Sequence, residues 1–175
     1  IGLLTEPQFS FAGDHFRLTD AYCEPKGVQT PHPPITIGGD GEKRTLRAVA
    51  RYAQRWNTPF TSAEVLTHKQ SVLAAHCADI GRDPAEITLI GISKTQPAEA
   101  VVAAVRAGVR HIGENRVQEA ALKLPSVRAA LGDDADVVFH LVGHLQRNKA
   151  GPAVALFDRI DLGDPHLRRQ RAQRL

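Results

Sequence analysis

The stretch ITLIGISKTQPAEAVVAAVRAGVRHI, residues 87–112, decides the fold class of this chain of 175 residues. It opens with a nearly continuous apolar run at residues 87–92, which is typical of a strand buried on both faces of a sheet. Pro97 and Gly108 bracket a helix pattern, and a second apolar segment follows at once. Strand, helix and strand in this order predict a parallel βαβ unit.

The same alternation continues on both sides of this unit. Strands are predicted at residues 35–37, 56–58, 87–92, 109–112, 137–142 and 159–162. Residues 1–30 are expected to be irregular and the final residues helical. A closed eight-stranded barrel needs about 250 residues. The prediction is therefore an α/β fold, a partial or open TIM-type β/α barrel with about six parallel strands.

Composition excludes several classes of function. The formal net charge is +3 and aromatic residues make up 5% of the chain, so a base-stacking nucleic-acid surface is not expected. Cys23 and Cys77 form no disulfide framework, which fits a cytoplasmic protein. No apolar run approaches the roughly 20 residues that span a bilayer, so no membrane partner is expected. Because the chain begins at Ile1 and contains no methionine, we expect a fragment or the tail of a longer reading frame.

Lys94 stands where the strand of residues 87–92 passes into a helix. Ligands of β/α folds bind at the carboxyl ends of strands. Alternation would send Ile90 and Ile92 inward together with Lys94, so that its ammonium lies above an apolar layer. Desolvation there would lower the pKa of Lys94 and free the amine as a nucleophile toward an aldehyde. An ordinary solvated loop lysine is the alternative.

Polar side chains also close the two strands that follow. Glu114 and Asn115 end the first of them, and His140 and His144 end the second. Convergence of Lys94 with these groups at one mouth predicts a small-molecule binding site. Asn115 is expected to cap the next helix, with a glutamine three residues on as its capping-box partner. The two histidines have no clear third ligand, so no metal is expected.

Three segments carry a resemblance to a known family: LIGISKTQPAEAVVAAVRAG (89–108), GENRVQEA (113–120) and FHLVGHLQRNK (139–149). Through them residues 87–164 resemble the N-terminal half of the pyridoxal-phosphate homeostasis proteins, whose barrel is similar to that of alanine racemase. The resemblance implies that Lys94 is the Schiff-base lysine of pyridoxal 5′-phosphate, with Asn115 and His140 beside the cofactor. It implies a cofactor-binding protein more than a catalyst, so no catalytic residue is assigned. The family's phosphate-binding residues belong to later strands than those present here.

A glycine-rich turn, GGDG at residues 38–41, follows the strand of residues 35–37 and opens a helix. Gly38, Gly39 and Gly41 let the backbone approach a ligand closely. Backbone N–H groups at a helix start can hold a phosphate. A phosphate site is therefore predicted at this turn, and a plain tight turn is the alternative.

Two segments carry a second resemblance: EPKGVQTPHPPITIGGDGEKRTLRAVARYA (24–53) and HCADIGRDPAEI (76–87). Through them residues 3–87 resemble the C-terminal part of luciferase-like deazaflavin-dependent oxidoreductases, in which the glycine turn lies at the cofactor phosphate. This implies a deazaflavin or FMN as the alternative cofactor and an oxidoreductase fragment as the alternative function. The chain is predicted to join two truncated barrels, residues 1–86 and 87–175. An inactive chimera is a third interpretation.

The joined order suggests one further hypothesis. By resemblance, residues 35–37 and 56–58 form the seventh and eighth strands of one barrel, and the strand before Lys94 is the first of the other. Closed barrels place the eighth and first strands side by side. The glycine turn at residues 38–41 would then face the same mouth as Lys94 and receive the phosphate of its cofactor. Independent packing of the two halves is the alternative.

Overall fold

A computed structural model of the chain describes residues 1–60, 62–132 and 135–161. By its internal contacts the chain divides into two compact units, residues 1–35 and 36–175. The predicted C-terminal helix lies outside the described residues. None of the described helices is long and apolar enough to cross a membrane.

The first unit contains a short helix and an antiparallel strand pair. Its elements are α1 (Gly2–Thr5), β1 (Phe9–Ala12) and β2 (Arg17–Ala21). The backbone N–H of Asp20 donates to Ser10 Oγ across the pair at 2.9 Å. The prediction that residues 1–30 are irregular is therefore wrong for this pair. Both strands are mostly exposed, so they carry no apolar alternation that would have revealed them.

The second unit is a six-stranded parallel sheet with helices between its strands. The strands are β3 (Thr36–Gly38), β4 (Arg55–Pro59), β5 (Thr88–Ile92), β6 (His111–Glu114), β7 (Val138–Val142) and β8 (Arg159–Asp161). The helices are α2 (Thr45–Tyr52), α3 (Ala63–Ala78), α4 (Ala98–Arg106), α5 (Val117–Leu131) and α6 (Ala150–Leu156). Short 3-10 turns at Pro84–Glu86 and Arg147–Lys149 precede β5 and α6. This half-barrel confirms the predicted partial TIM-type fold.

The strands follow one another in the sheet in chain order, from β3 at one edge to β8 at the other. β4 and β5 pair in parallel along five positions, from Arg55 opposite Thr88 to Pro59 opposite Ile92. The sheet is therefore continuous across residue 86. The division into halves of different origin at that residue stays a prediction.

The helix-facing side of the sheet carries the apolar core. Phe139 and Leu141 of β7 pack there among apolar side chains of α4, α5 and α6. Trp56 of β4 is fully buried with residues of α2 and α3. Because side chains alternate along a strand, the neighbours Arg55 and His140 face the opposite, concave side. That concave side positions the candidate site.

One local prediction at the start of α5 is wrong. The helix begins at Val117, and Arg116 occupies its cap position with no side-chain cap hydrogen bond. Arg116 has an extended backbone, with φ −132 and ψ 118, which inserts one more residue between strand and helix than the capping box allows. The side-chain oxygen of Asn115 has no hydrogen-bond partner among the described residues.

Candidate functional site

The carboxyl ends of the six parallel strands share one edge of the half-barrel. Gly38 ends β3, residues 39–41 follow it, and Lys94 follows β5, so the glycine turn and the lysine lie at the same edge. The prediction that this turn opens a helix is wrong, because α2 begins only at Thr45. This is the placement that a shared phosphate site requires. Gly39 has a φ of +112, a conformation that favours glycine, and its N–H donates to the carbonyl of Asn57 at 2.9 Å.

Lys94 lies two residues beyond the last residue of β5, and it is exposed to solvent. The predicted desolvation is therefore not found, because the strand ends before it reaches the lysine. The apolar layer below it is present. A Cβ added to Gly113 would lie 2.6 Å from Ile92 Cδ1 and 3.1 Å from Ile90 Cγ2, so both isoleucines pack over this glycine on the concave side. Lys94 is thus exposed just beyond a strand whose concave side carries these two isoleucines.

Glu114 does not join the mouth as predicted. It pairs with Leu141 of the core, so alternation places it on the helix-facing side, where it is fully buried. Its Oε1 accepts a hydrogen bond from Ser93 Oγ at 2.5 Å and forms an ion pair with Lys123 Nζ at 2.6 Å. The sequence placed Glu114 and Asn115 together, but neighbouring residues of a strand point to opposite faces.

His140 lies in the middle of β7, fully buried on the concave side. Its Nδ1 is 2.7 Å from Asp161 Oδ2, and its Nε2 is 2.9 Å from His111 Nδ1. A carboxylate can only accept, so His140 Nδ1–H donates to Asp161, and His140 Nε2 and His111 Nδ1 share one hydrogen between them. Both ring nitrogens of His140 therefore have partners within the protein.

An arginine completes this group from the far side of the half-barrel. Arg55 Nη1 lies 2.7 Å from Asp161 Oδ1, and three strands separate β4 from β8 in the sheet. The side chains of Arg55, His111, His140 and Asp161 thus form one chain of contacts across the concave face. Sequence reasoning missed three of these four residues. The alternation of side chains along a strand could have indicated His111, because it lies two residues before Gly113 and so faces the same side. No sequence pattern indicated Arg55 or Asp161.

Burial and charge set the protonation of this group. Burial lowers the pKa of His111, and the nearby charges of His140, Arg159 and Arg55 lower it further. For Asp161 burial acts in the opposite direction and raises the pKa. The hydrogen bond from His140 and the charge of Arg55 outweigh it, so the pKa of Asp161 is lowered overall. His111 is therefore held neutral and Asp161 ionised.

We predict that folding stability falls as the pH drops below the ordinary histidine pKa of about 6.5. His111 has a lowered pKa in the folded chain, so the unfolded chain takes up its proton first, and stability declines as the pH falls toward the folded value. Denaturant unfolding between pH 8 and pH 5 measures this slope. His111→Asn should flatten the slope, and His144→Asn, at an exposed histidine, should leave it unchanged. Equal slopes in the parent and in His111→Asn would refute the assignment.

Two asparagines offer unused hydrogen-bonding capacity on either side of β5. The side-chain oxygens of Asn57 and Asn115 are buried and have no partner among the described residues. Asn57 lies two residues after Arg55 in β4, so it faces the same concave side. Asn115 lies beside Gly143, since a Cβ added to Gly143 would be 3.8 Å from the Cβ of Asn115. Buried amides without partners are typical of sites that bind water or a ligand. The residues present therefore fit a small polar ligand near Lys94.

Metal binding has no comparable support. Within residues 1–60, 62–132 and 135–161, no group of three or more His, Cys, Asp or Glu side chains is arranged to hold a metal ion. His144 is exposed and takes no part in the contacts described for His140. Arg55, His111, His140 and Asp161 contact one another directly.

The fold and this edge define an open β/α-barrel protein with an accessible lysine at the end of a strand. No family model matches the chain. The pyridoxal phosphate homeostasis protein of Mycobacterium tuberculosis is 42% identical over 95 residues, covering 49% of this chain and 37% of that protein. PipY of Synechococcus elongatus, solved with PLP bound, is 42% identical, and the match covers 53% of this chain and 42% of the PipY chain, with a TM-score of 0.44.

These relatives confirm the predicted resemblance to the pyridoxal-phosphate homeostasis proteins. The chain spans about two fifths of their length, at 37% and 42%. An F420-dependent secondary alcohol dehydrogenase also matches, with 13% identity and a TM-score of 0.48, over 81% of this chain and 52% of its own.

Proposed function

We propose that this chain binds pyridoxal 5′-phosphate through a Schiff base to Lys94, as a cofactor-homeostasis protein. The observation that carries the proposal is the position of Lys94, exposed just beyond the carboxyl end of β5, whose concave side carries Ile90 and Ile92. Ligand sites of β/α barrels lie at this edge. The 42% identity to pyridoxal phosphate homeostasis proteins supports the choice of ligand.

The chemistry asked of Lys94 is a condensation. Its neutral amine attacks the aldehyde carbon of the cofactor, a C=N bond forms, and one water leaves. The bound cofactor supplies that aldehyde and its absorbance. The protein would present the amine of Lys94 at the carboxyl edge of the sheet. Ile90 and Ile92 would provide apolar contacts, and the amides of Asn57 and Asn115 would provide hydrogen bonds.

A visible spectrum of the chain mixed with the cofactor tests the proposal. A new Schiff-base band that borohydride makes permanent supports it. FMN and a deazaflavin are titrated alongside, because binding of either that survives Lys94→Ala would support the oxidoreductase alternative. Binding of none of the three would support the inactive chimera.

We further propose that residues 38–41 hold the phosphate of this cofactor. The turn shares the edge of Lys94 and is separated from α2 by residues 42–44, and Gly39 keeps its backbone free of a side chain. Pyridoxal phosphate should then bind at least about tenfold more tightly than pyridoxal, since charge-assisted hydrogen bonds are worth about 1.5–3 kcal/mol.

Gly39→Val should erase this phosphate preference. Valine is strained at a φ of +112, so the matched control is Gly108→Val, which carries similar strain at a φ of +103 where α4 ends. Paired titrations with pyridoxal and its phosphate measure the effect. A preference that survives in Gly39→Val rules the shared site out.

We propose that Asn115 and His140 tune the site without creating it. Asn115→Ala should weaken cofactor binding by about 1–3 kcal/mol, the usual cost of a lost buried partner. His140→Ala should act indirectly, because both its ring nitrogens are used by His111 and Asp161. Titration against Asn148→Ala, at an exposed asparagine, provides the control. If both variants bind the cofactor as tightly as the parent chain does, neither residue belongs to the site.

A further inference from the structure

We infer that Lys123 and Glu119 of α5 are positioning residues that hold the turn carrying Lys94. The inference rests on the proposed function. Lys123 Nζ donates to the carbonyl of Ser93 at 2.7 Å and to the carbonyl of Gln96 at 3.0 Å. One ammonium therefore ties together the residues on both sides of Lys94.

Glu119 holds the residue between them. Its Oε1 accepts a hydrogen bond from the backbone N–H of Thr95 at 2.6 Å. Thr95 has a φ of +65, which is rare and costly for a β-branched residue. Such a conformation persists only where the surroundings fix it, and it is typical of functional sites. Here the carboxylate supplies the fixing contact immediately after Lys94.

The contacts of Lys123 and Glu119 with residues 93–96 are called the clamp below. This clamp is anchored in the core of the half-barrel. The side chain of Lys123 is 8% exposed and that of Glu114 is fully buried, and their charged atoms are 2.6 Å apart. Ser93 Oγ donates to the same Glu114 oxygen, and Ser93 N–H donates to the carbonyl of Gly113. Lys123 also lies 3.7 Å from Glu119, which links the two parts of the clamp.

The consequence concerns the reaction of Lys94. Its own side chain is free at the mouth, while Ser93, Thr95 and Gln96 around it are fixed from behind. A fixed backbone presents the amine in one direction and reduces the entropy lost when the cofactor binds. Loss of the Glu119 contact should therefore lower the affinity and rate of Schiff-base formation more than it lowers stability.

Glu119→Ala and Glu119→Gln test the inference on the full chain. The Glu119 side chain is 29% exposed, so both variants should fold. Glutamine keeps an oxygen that accepts from Thr95, whereas alanine does not. We expect Glu119→Ala to weaken Schiff-base formation about tenfold and to lose amide hydrogen-exchange protection at Thr95. Glu119→Gln should retain most of both, and Glu99→Ala, at an exposed glutamate of α4, should change neither.

The outcomes separate this inference from the proposed function. Unchanged Schiff-base formation despite lost Thr95 protection overturns the positioning role, and so does retained protection in Glu119→Ala. Lys123→Met gives a second variant, expected to show the larger loss of Schiff-base formation and also to lower stability, because it leaves the buried Glu114 without its ion-pair partner. A parent chain that forms no Schiff base overturns the proposed function, and with it the role toward Lys94. In that case, amide hydrogen exchange at Thr95 in the parent chain and in Glu119→Ala still shows whether Glu119 holds the Thr95 backbone.

Discussion

Lys94→Ala abolishes the Schiff-base band that the parent chain forms with pyridoxal phosphate: this is the largest effect we expect on binding. Alanine offers no amine, and the Lys123 ammonium that contacts the same turn is buried and paired with Glu114. Lys94→Arg should behave in the same way, because a guanidinium stays protonated. Visible absorbance before and after borohydride gives the measurement.

Lys43→Ala is the matched control for this experiment. Lys43 is also exposed and lies close to the glycine turn, on the same unit of the chain. We expect it to keep the band. A band of parent intensity in Lys94→Ala would show that another amine is responsible and that the site is elsewhere.

Leu124→Ala should lower the free energy of unfolding by about 2–5 kcal/mol, the largest effect we expect on stability. Leu124 is fully buried in the core between α5 and the sheet, and its truncation leaves a cavity. Leu122→Ala on the same helix is the control, because Leu122 is 84% exposed and surface changes usually stay within about 0.5 kcal/mol.

The same variant tests whether residues 36–161 fold as one body. The single tryptophan, Trp56, is fully buried in β4, before the predicted junction, whereas Leu124 lies after it. Because β4 pairs with β5 and Arg55 contacts Asp161, we expect Trp56 fluorescence and far-UV circular dichroism to shift together in Leu124→Ala. A Trp56 transition that keeps its parent midpoint would mean that the halves unfold independently.

Much of this fold was predictable because its strands are buried. Residues 87–92 and 137–142 are mostly apolar runs of the length typical of buried strands, and β5 and β7 lie within them. β1 and β2 escaped prediction since they are mostly exposed and paired only with each other. The spacing of apolar residues indicates which elements are buried, so it does not predict elements that are exposed.

The site was predictable only in part for a related reason. The position of Lys94 followed from the strand boundary, a local feature. Lys123 reads in sequence as a solvated helix residue, and only the folded chain brings its ammonium to the carbonyls of Ser93 and Gln96. The pair of Arg55 and Asp161 likewise depends on the curvature of the sheet, which no local pattern encodes.

Peptide mapping of the borohydride-reduced complex tests the central claim most directly. Reduction converts the C=N bond to a stable C–N bond, so mass spectrometry identifies the lysine that carries the cofactor. We expect a single modified peptide with the adduct on Lys94. Lys123 should stay unmodified, because its ammonium is buried among carbonyl and carboxylate oxygens. An adduct on Lys43 or Lys123, with Lys94 unmodified, would contradict the account.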